Sequence, residues 1–215
     1  GNGDRESYEA EFRNGGVYTV ANPYGGYLLG DYILHDFDPG EGVDVWQEVT
    51  FTPNSDLTLA FQWDDPFASV CPDCPGADTD MDIVLALSPD PFDVILESAS
   101  FNIGADAYEV LGASYSGEEP FTAYVAVGKW IDAPGENPDP GFIKYINYGN
   151  AAVTEYFTGA PTNMGHSNTE NGIGVGAVAW FNTPEFGSDP AEINSYSSAG
   201  GIKILYDTKG KRIKK

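Results

Sequence analysis

The side chains in this sequence whose types and spacing could do chemistry are first of all carboxylates. Asp64 and Asp65 follow the run LTLAFQW (57–63), and Asp78, Asp80 and Asp82 lead into and through MDIVLALS (81–88). In an extended chain Asp80 and Asp82 project to one face, where a neighbouring loop would bring Asp64 or Asp65 beside them. Carboxylates at that density repel, and a hard cation with oxygen ligands relieves them. Asp64, Asp65, Asp78, Asp80, Asp82 and, further on, Glu109 are therefore candidate calcium ligands, with backbone carbonyls of the CPDC loop (71–74) as further donors. The spacing is not that of the helix-loop-helix calcium motif. The same side chains also suit a plainer role, accepting backbone N–H bonds at turns while facing water. Glycosidase chemistry would need one acid of raised pKa across a cleft from a second carboxylate, and nothing in the sequence sets such a pair apart.

The next reactive types are scarce. Cys71 and Cys74 form CPDC, with Pro72 inside and Pro75 after it; His35 and His166 bear no spacing relation to the pair that would complete a zinc site. A thioredoxin-like site needs its first Cys at a helix N-terminus, which this Pro- and Asp-rich loop does not offer. The pair reads as a local disulfide, consistent with an oxidising compartment. His35 reads as a strand-entry residue, and Trp46, Trp63 and Trp130 read as core residues.

The elements that must position these residues are strands. Runs rich in β-branched and aromatic residues recur at short intervals: WQEVTFTP (46–53), LTLAFQW (57–63), MDIVLALS (81–88), VILESAS (94–100), YEVLGASYS (108–116) and FTAYVAVGKW (121–130). Turn formers such as PNSD and SPDPFD separate them. Leu57, Leu59, Phe61 and Trp63 share one face, as do Met81, Ile83, Leu85 and Leu87. Short strands with one apolar face each are covered by a second sheet. The expected fold is mainly β, an antiparallel, jelly-roll-like β-sandwich over residues 31–150, with an approach segment at 1–30 and a separate strand-and-hairpin segment at 151–215. In that last segment GIGVGAVAW (172–180) is apolar on both sides, as a central strand is, and IKILYDTKGKRI (202–213) reads as a hairpin around Thr208, Lys209 and Gly210.

Charge narrows the partners. The chain of 215 residues carries a net charge of -23, with no Lys or Arg between Arg13 and Lys129. Such a surface repels phosphate backbones and anionic lipid, so neither nucleic acid nor membrane is an expected partner. No apolar run is long enough to span a bilayer.

IGVGAVAW followed by INSYSSAGG (193–201) resembles the segment of subtilisin-like serine proteases that precedes their nucleophile motif, and GNGD (1–4) is similar to the close of their Ser-Ala-Gly-Asn motif. The resemblance places Asn2 as the oxyanion-hole donor and puts the Asp, His and Ser of the triad outside these residues. Between the two landmarks, LHDF (34–37), QWDDP (62–66), DTDMDIVLAL (78–87), DAYEVL (106–111) and AYVAVGKW (123–130) resemble, in order, a sandwich insertion of the pre-peptidase C-terminal type found in some bacterial subtilases. SVCPDCPGA lengthens one loop relative to that pattern, and DIVLAL replaces the commoner Leu-Tyr-Leu.

The resemblance implies a non-catalytic part of a secreted, bacterial extracellular serine endopeptidase. Its partners would be the rest of the catalytic domain and a protein or peptide substrate. The insertion would shape access to the cleft, bind substrate, or stabilise the enzyme through calcium. The alternative is an extracellular binding module of adhesin type that grips a glycan or a peptide terminus.

Overall fold

The computed structural model describes residues 3–135, 137–169 and 171–213. Among them run β1 (Ser7–Glu11), β2 (Asn14–Asn22), β3 (Tyr27–His35), β4 (Gln47–Phe51), β5 (Asp56–Trp63) and β6 (Met81–Ala86). β7 (Val94–Ser98), β8 (Tyr108–Ser114), β9 (Phe121–Trp130), β10 (Phe142–Asn147) and the short β11 (Ala152–Val153) follow. All the pairings are antiparallel. The protein is mainly β, built as a sandwich.

One sheet has the order β1-β10-β5-β8. In the other, β9 is the axis: β6 lies along one edge, with β7 outside it, while β4 and then β3 share the other edge. The alternation of β5 is realised, with Leu57, Leu59, Phe61 and Trp63 all buried. They meet Val49, Ile83, Leu85, Val125 and Tyr145 between the sheets. This interior supplies the main hydrophobic driving force.

β6 and β9 are buried on both faces. Their outer sides, Val84, Ala86 and Ala126, pack with Val20, Tyr32, Leu34, Trp46 and Val94 in a second cluster. The cover comes from the β2–β3 hairpin, which curls over until the Ala21 N–H donates to the Pro91 carbonyl at 2.9 Å and Asn22 Nδ2 to Glu97 Oε2 at 2.8 Å. Register shifts at 14/17 and 20/21 mark where the hairpin bends. β1, β2 and the start of β3 lie ahead of residue 31, so the segment read as an approach supplies strands to both sheets.

The tail beyond Ala160 is different. Regular structure is reduced to single-turn 3-10 pieces and isolated bridges, Val178 with Ile193 and Tyr206 with Arg212. GIGVGAVAW is not a buried central strand: Ile173 is 86 % exposed and Val175 83 %. Its three glycines give no side-chain cover, and among the described residues no strand lies on either side to take its backbone bonds. The hairpin at the end does form, with the Asp207 N–H donating to the Lys211 carbonyl at 2.9 Å and the Ile213 N–H to the Leu205 carbonyl at 2.8 Å.

Candidate functional site

The acidic residues fall into two groups with different work. Asp64 Oδ1 accepts the N–H groups of Gly141 and Phe142 at 2.8 and 3.0 Å, while Oδ2 pairs with Arg212 Nη2 at 2.7 Å. Its carbonyl accepts from Tyr206 and Arg212, so this residue ties β10 and the terminal hairpin to the sandwich. Asp65 Oδ2 accepts from Trp63 Nε1 (3.1 Å) and from the N–H groups of Asp78 (3.1 Å) and Thr79 (2.8 Å), which fixes the chain leading into β6. Burial raises the Asp65 pKa, and those donors partly offset it. Asp78 is exposed.

Asp80 and Asp82 face the outer side of the second sheet, and the register explains their neighbours. Asp82 pairs with Gly128 on β9, and Tyr32 on β3 pairs with Trp130. The Trp130 N–H donates to the Asp80 carbonyl at 3.1 Å, which puts these two side by side. Tyr32 leans across Gly128 to donate its hydroxyl to Asp82 Oδ2 at 2.6 Å. A Cβ on Gly128 would stand 2.7 Å from Leu34 Cδ2 and 3.1 Å from Tyr32 Cδ1, so the crossing needs glycine. Gly30, at φ +142°, similarly lets β3 approach the Trp130 indole.

The charges here are uncomfortable. Burial pushes the Asp82 carboxyl up to about 8; the Tyr32 hydroxyl pulls it down, and the charges of Asp80 and Glu109 add to the rise. Asp80 is also raised, by burial first and by Glu109 as well, although it accepts the Asn102 N–H at 2.9 Å. Tyr32 is raised by burial and by Asp82. Glu109 itself, on β8, accepts from the Ser98 hydroxyl and from the Ser100 N–H at 2.9 Å. Asp82 Oδ1 and Trp130 Nε1 are buried without a hydrogen-bond partner. Both residues line a cleft of about 250 Å³, whose floor is completed by Asp80 and Tyr32 and whose walls include Leu28 and Phe101.

Calcium asks for six to eight oxygens around one point. Among the described residues no three His, Cys, Asp or Glu side chains converge to hold a metal ion. Asp64, Asp65 and Glu109 already spend carboxylate oxygens on protein donors.

Cys71 and Cys74 are joined in a disulfide with Cα atoms 5.2 Å apart. His35 is fully buried; its Nδ1 accepts the Arg13 N–H at 3.1 Å, so the proton sits on Nε2, 2.8 Å from the Tyr8 hydroxyl. Burial holds its pKa down to about 3. It is a neutral packing residue without access to a reaction.

A second place brings distant segments together. The Ser7 hydroxyl donates to the Ala160 carbonyl at 2.8 Å, and the Ala160 N–H returns to the Ser7 carbonyl at 3.1 Å. Just outside this clasp, the Asp4 N–H donates to the Tyr196 carbonyl (3.2 Å) and the Ala199 N–H to the Asp4 carbonyl (3.1 Å), while Ser198 Oγ accepts the Gly3 N–H (2.9 Å). Ser197 Oγ accepts the Ala177 N–H at 2.7 Å, linking GAV to SYSS. A groove of about 760 Å³ runs here, lined by Asp4, Asn163, Gly174, Gly176, Ser197 and Ser198 among others. Asn2 lies outside the described residues.

Comparison with known protein families, with curated proteins and with solved structures finds no match. Among the described residues no helix is long and apolar enough to cross a membrane.

Proposed function

We propose that this chain is the β-sandwich insertion of a secreted subtilisin-like serine endopeptidase, together with the pieces of catalytic domain on either side of it. The observation that carries the reading is the clasp at the base of the sandwich. The chain enters at residues 4–7 and leaves at 158–162, and the two strands of chain are hydrogen-bonded side by side. A domain whose ends meet can sit in another domain without disturbing it. The segments it interrupts, Gly3–Asp4 and the SYSSAGG stretch, are bonded to each other as parts of one frame. These are also the stretches that resemble subtilase landmarks.

The exposed apolar residues of the tail support the same reading. Ile173, Val175, Trp180, Phe181 and Ile193 are all more than half exposed. A patch of this kind asks for cover, and the parallel sheet of a catalytic domain would supply it. An adhesin-type module standing alone leaves the patch without purpose. The parent would cleave peptide bonds through a serine acyl-enzyme with triad members outside this chain. The insertion would act without catalysis of its own, by limiting access to the cleft or holding substrate. The disulfide fits an oxidising, extracellular compartment.

Sequencing the source gene on both sides tests the reading. It predicts an Asp and a His-Gly-Thr motif upstream and Gly-Thr-Ser downstream. Repeated adhesin modules in those places would sink it.

A further inference from the structure

We propose that the cleft over β6 and β9 binds the free α-amino end of a peptide whose first residue is apolar. The inference stands on the sandwich alone and is independent of the host domain.

The cleft is defined by what it leaves unpaired. Asp82 is 4 % exposed, and of its two oxygens only Oδ2 has a partner, Tyr32. Oδ1 is buried without a partner, and Asp82 lines the cleft together with Asp80. An unpartnered oxygen in that position is costly unless a ligand fills it; the empty cleft keeps Asp82 protonated up to about pH 8, and a cationic donor lying between Asp82 and Asp80 would hold Asp82 ionised at pH 7. The opposite need stands beside it: Trp130 Nε1 is a buried donor with no acceptor. Trp130 flanks Asp80 across the β9–β6 pairing, and Asp82 lies one pleat further along the same face. A ligand that satisfies both must carry a cation and an acceptor oxygen a few bonds apart. The α-ammonium and first carbonyl of a peptide are such a pair, with three N–H donors for Asp82 and Asp80 and one oxygen for the indole.

The remaining surface selects the side chain. Leu28 and Phe101 line the cleft and are 61 % and 52 % exposed, an apolar wall without cover. A cleft of about 250 Å³ is small beside sites for drug-sized molecules and has room for about one residue. Calcium fits less well, because the indole N–H and the two apolar walls offer a metal nothing.

The test uses the indole N–H resonance of Trp130, assigned through Trp130→Phe, in the whole chain at pH 7. L-leucinamide, which has the free amine, the carbonyl and an apolar side chain, should shift this resonance saturably. N-acetyl-L-leucinamide, with the amine blocked, should not. Asp82→Asn should weaken L-leucinamide binding by about tenfold, the scale of a lost charge-assisted hydrogen bond. Phe101→Ala, at a solvent-exposed wall position, should weaken it several-fold with the fold intact and serves if Asp82→Asn does not fold. An equal shift with the acetylated amide, no shift with either, or a shift produced by calcium chloride in place of the amine would each overturn the proposal.

Discussion

The sandwich and the tail contain the same kinds of residue and treat them in opposite ways. In β9, FTAYVAVGKW, alternate side chains enter two separate apolar clusters, and both edges of the strand are paired. In GIGVGAVAW the side chains at 173 and 175 point to solvent, and only Val178 makes a bridge. Apolar β-formers make a strand where neighbours satisfy the backbone and a second layer covers the face. β9 has both within this chain. The tail has little of either: scattered backbone bonds, such as the Asn194 N–H to the Ala177 carbonyl at 2.8 Å, are joined by side-chain clamps, Ser197 on Ala177 and Asp64 on Arg212.

The sharpest contrast between the regions comes from truncating one apolar residue in each. Phe61→Ala, in the sandwich interior, should cost about 3–5 kcal/mol in a urea unfolding experiment, whereas Ile173→Ala should stay within about 0.5 kcal/mol. A large cost at Ile173 would mean that the tail is packed after all, and the contrast would break. Gly128→Ala asks how tightly the outer cluster is closed. Its new methyl meets Leu34 and Tyr32, and the expected loss is about 1–3 kcal/mol.

Asp82 adds a pH dependence that belongs to the sandwich alone. Its folded-state carboxyl sits at about 8, above the ordinary 3.8, so between those values the folded chain keeps a proton that the unfolded chain has lost. Stability therefore falls as pH rises through that window. Wild-type Tm should drop more steeply than that of Asp82→Asn between about pH 5 and pH 8; parallel curves would show that Asp82 is not the group responsible. A smaller effect than those in the sandwich is expected at the link between the regions. Arg212→Ala should cost about 1 kcal/mol, because Asp64 keeps two backbone donors and the Arg212 side chain is half exposed. Its main consequence should be faster amide exchange at Asp207–Ile213.

Much of the sandwich could be read from alternation alone. LTLAFQW and FTAYVAVGKW became β5 and β9 because their period of two matched a half-buried sheet. β1 and β2 were harder to see, since GGVYTVAN mixes glycine with few apolar repeats and its burial depends on the hairpin curling over β6 and β7. The acidic side chains were visible, but their roles were not. Asp80 and Asp82 share a face as a strand requires, yet Tyr32, Gly128 and Trp130, which make that face a cleft, come from strands some 50 residues away along the chain. No local spacing announces such a crossing. The clasp at Ser7 and Ala160 was hidden for the same reason, as hydrogen bonds between small side chains and backbone leave no periodic trace.

The central claim is that a self-sufficient sandwich interrupts a frame that lacks its cover. Native-state hydrogen exchange on the whole chain tests it most directly, since protection reports local stability residue by residue. The account predicts amides of β5, β6 and β9 exchanging only through global unfolding, with those of 172–196 exchanging orders of magnitude faster in the same sample. Equal protection in both stretches would show that the tail belongs to the sandwich's own cooperative unit, and would contradict the account of it as an insertion.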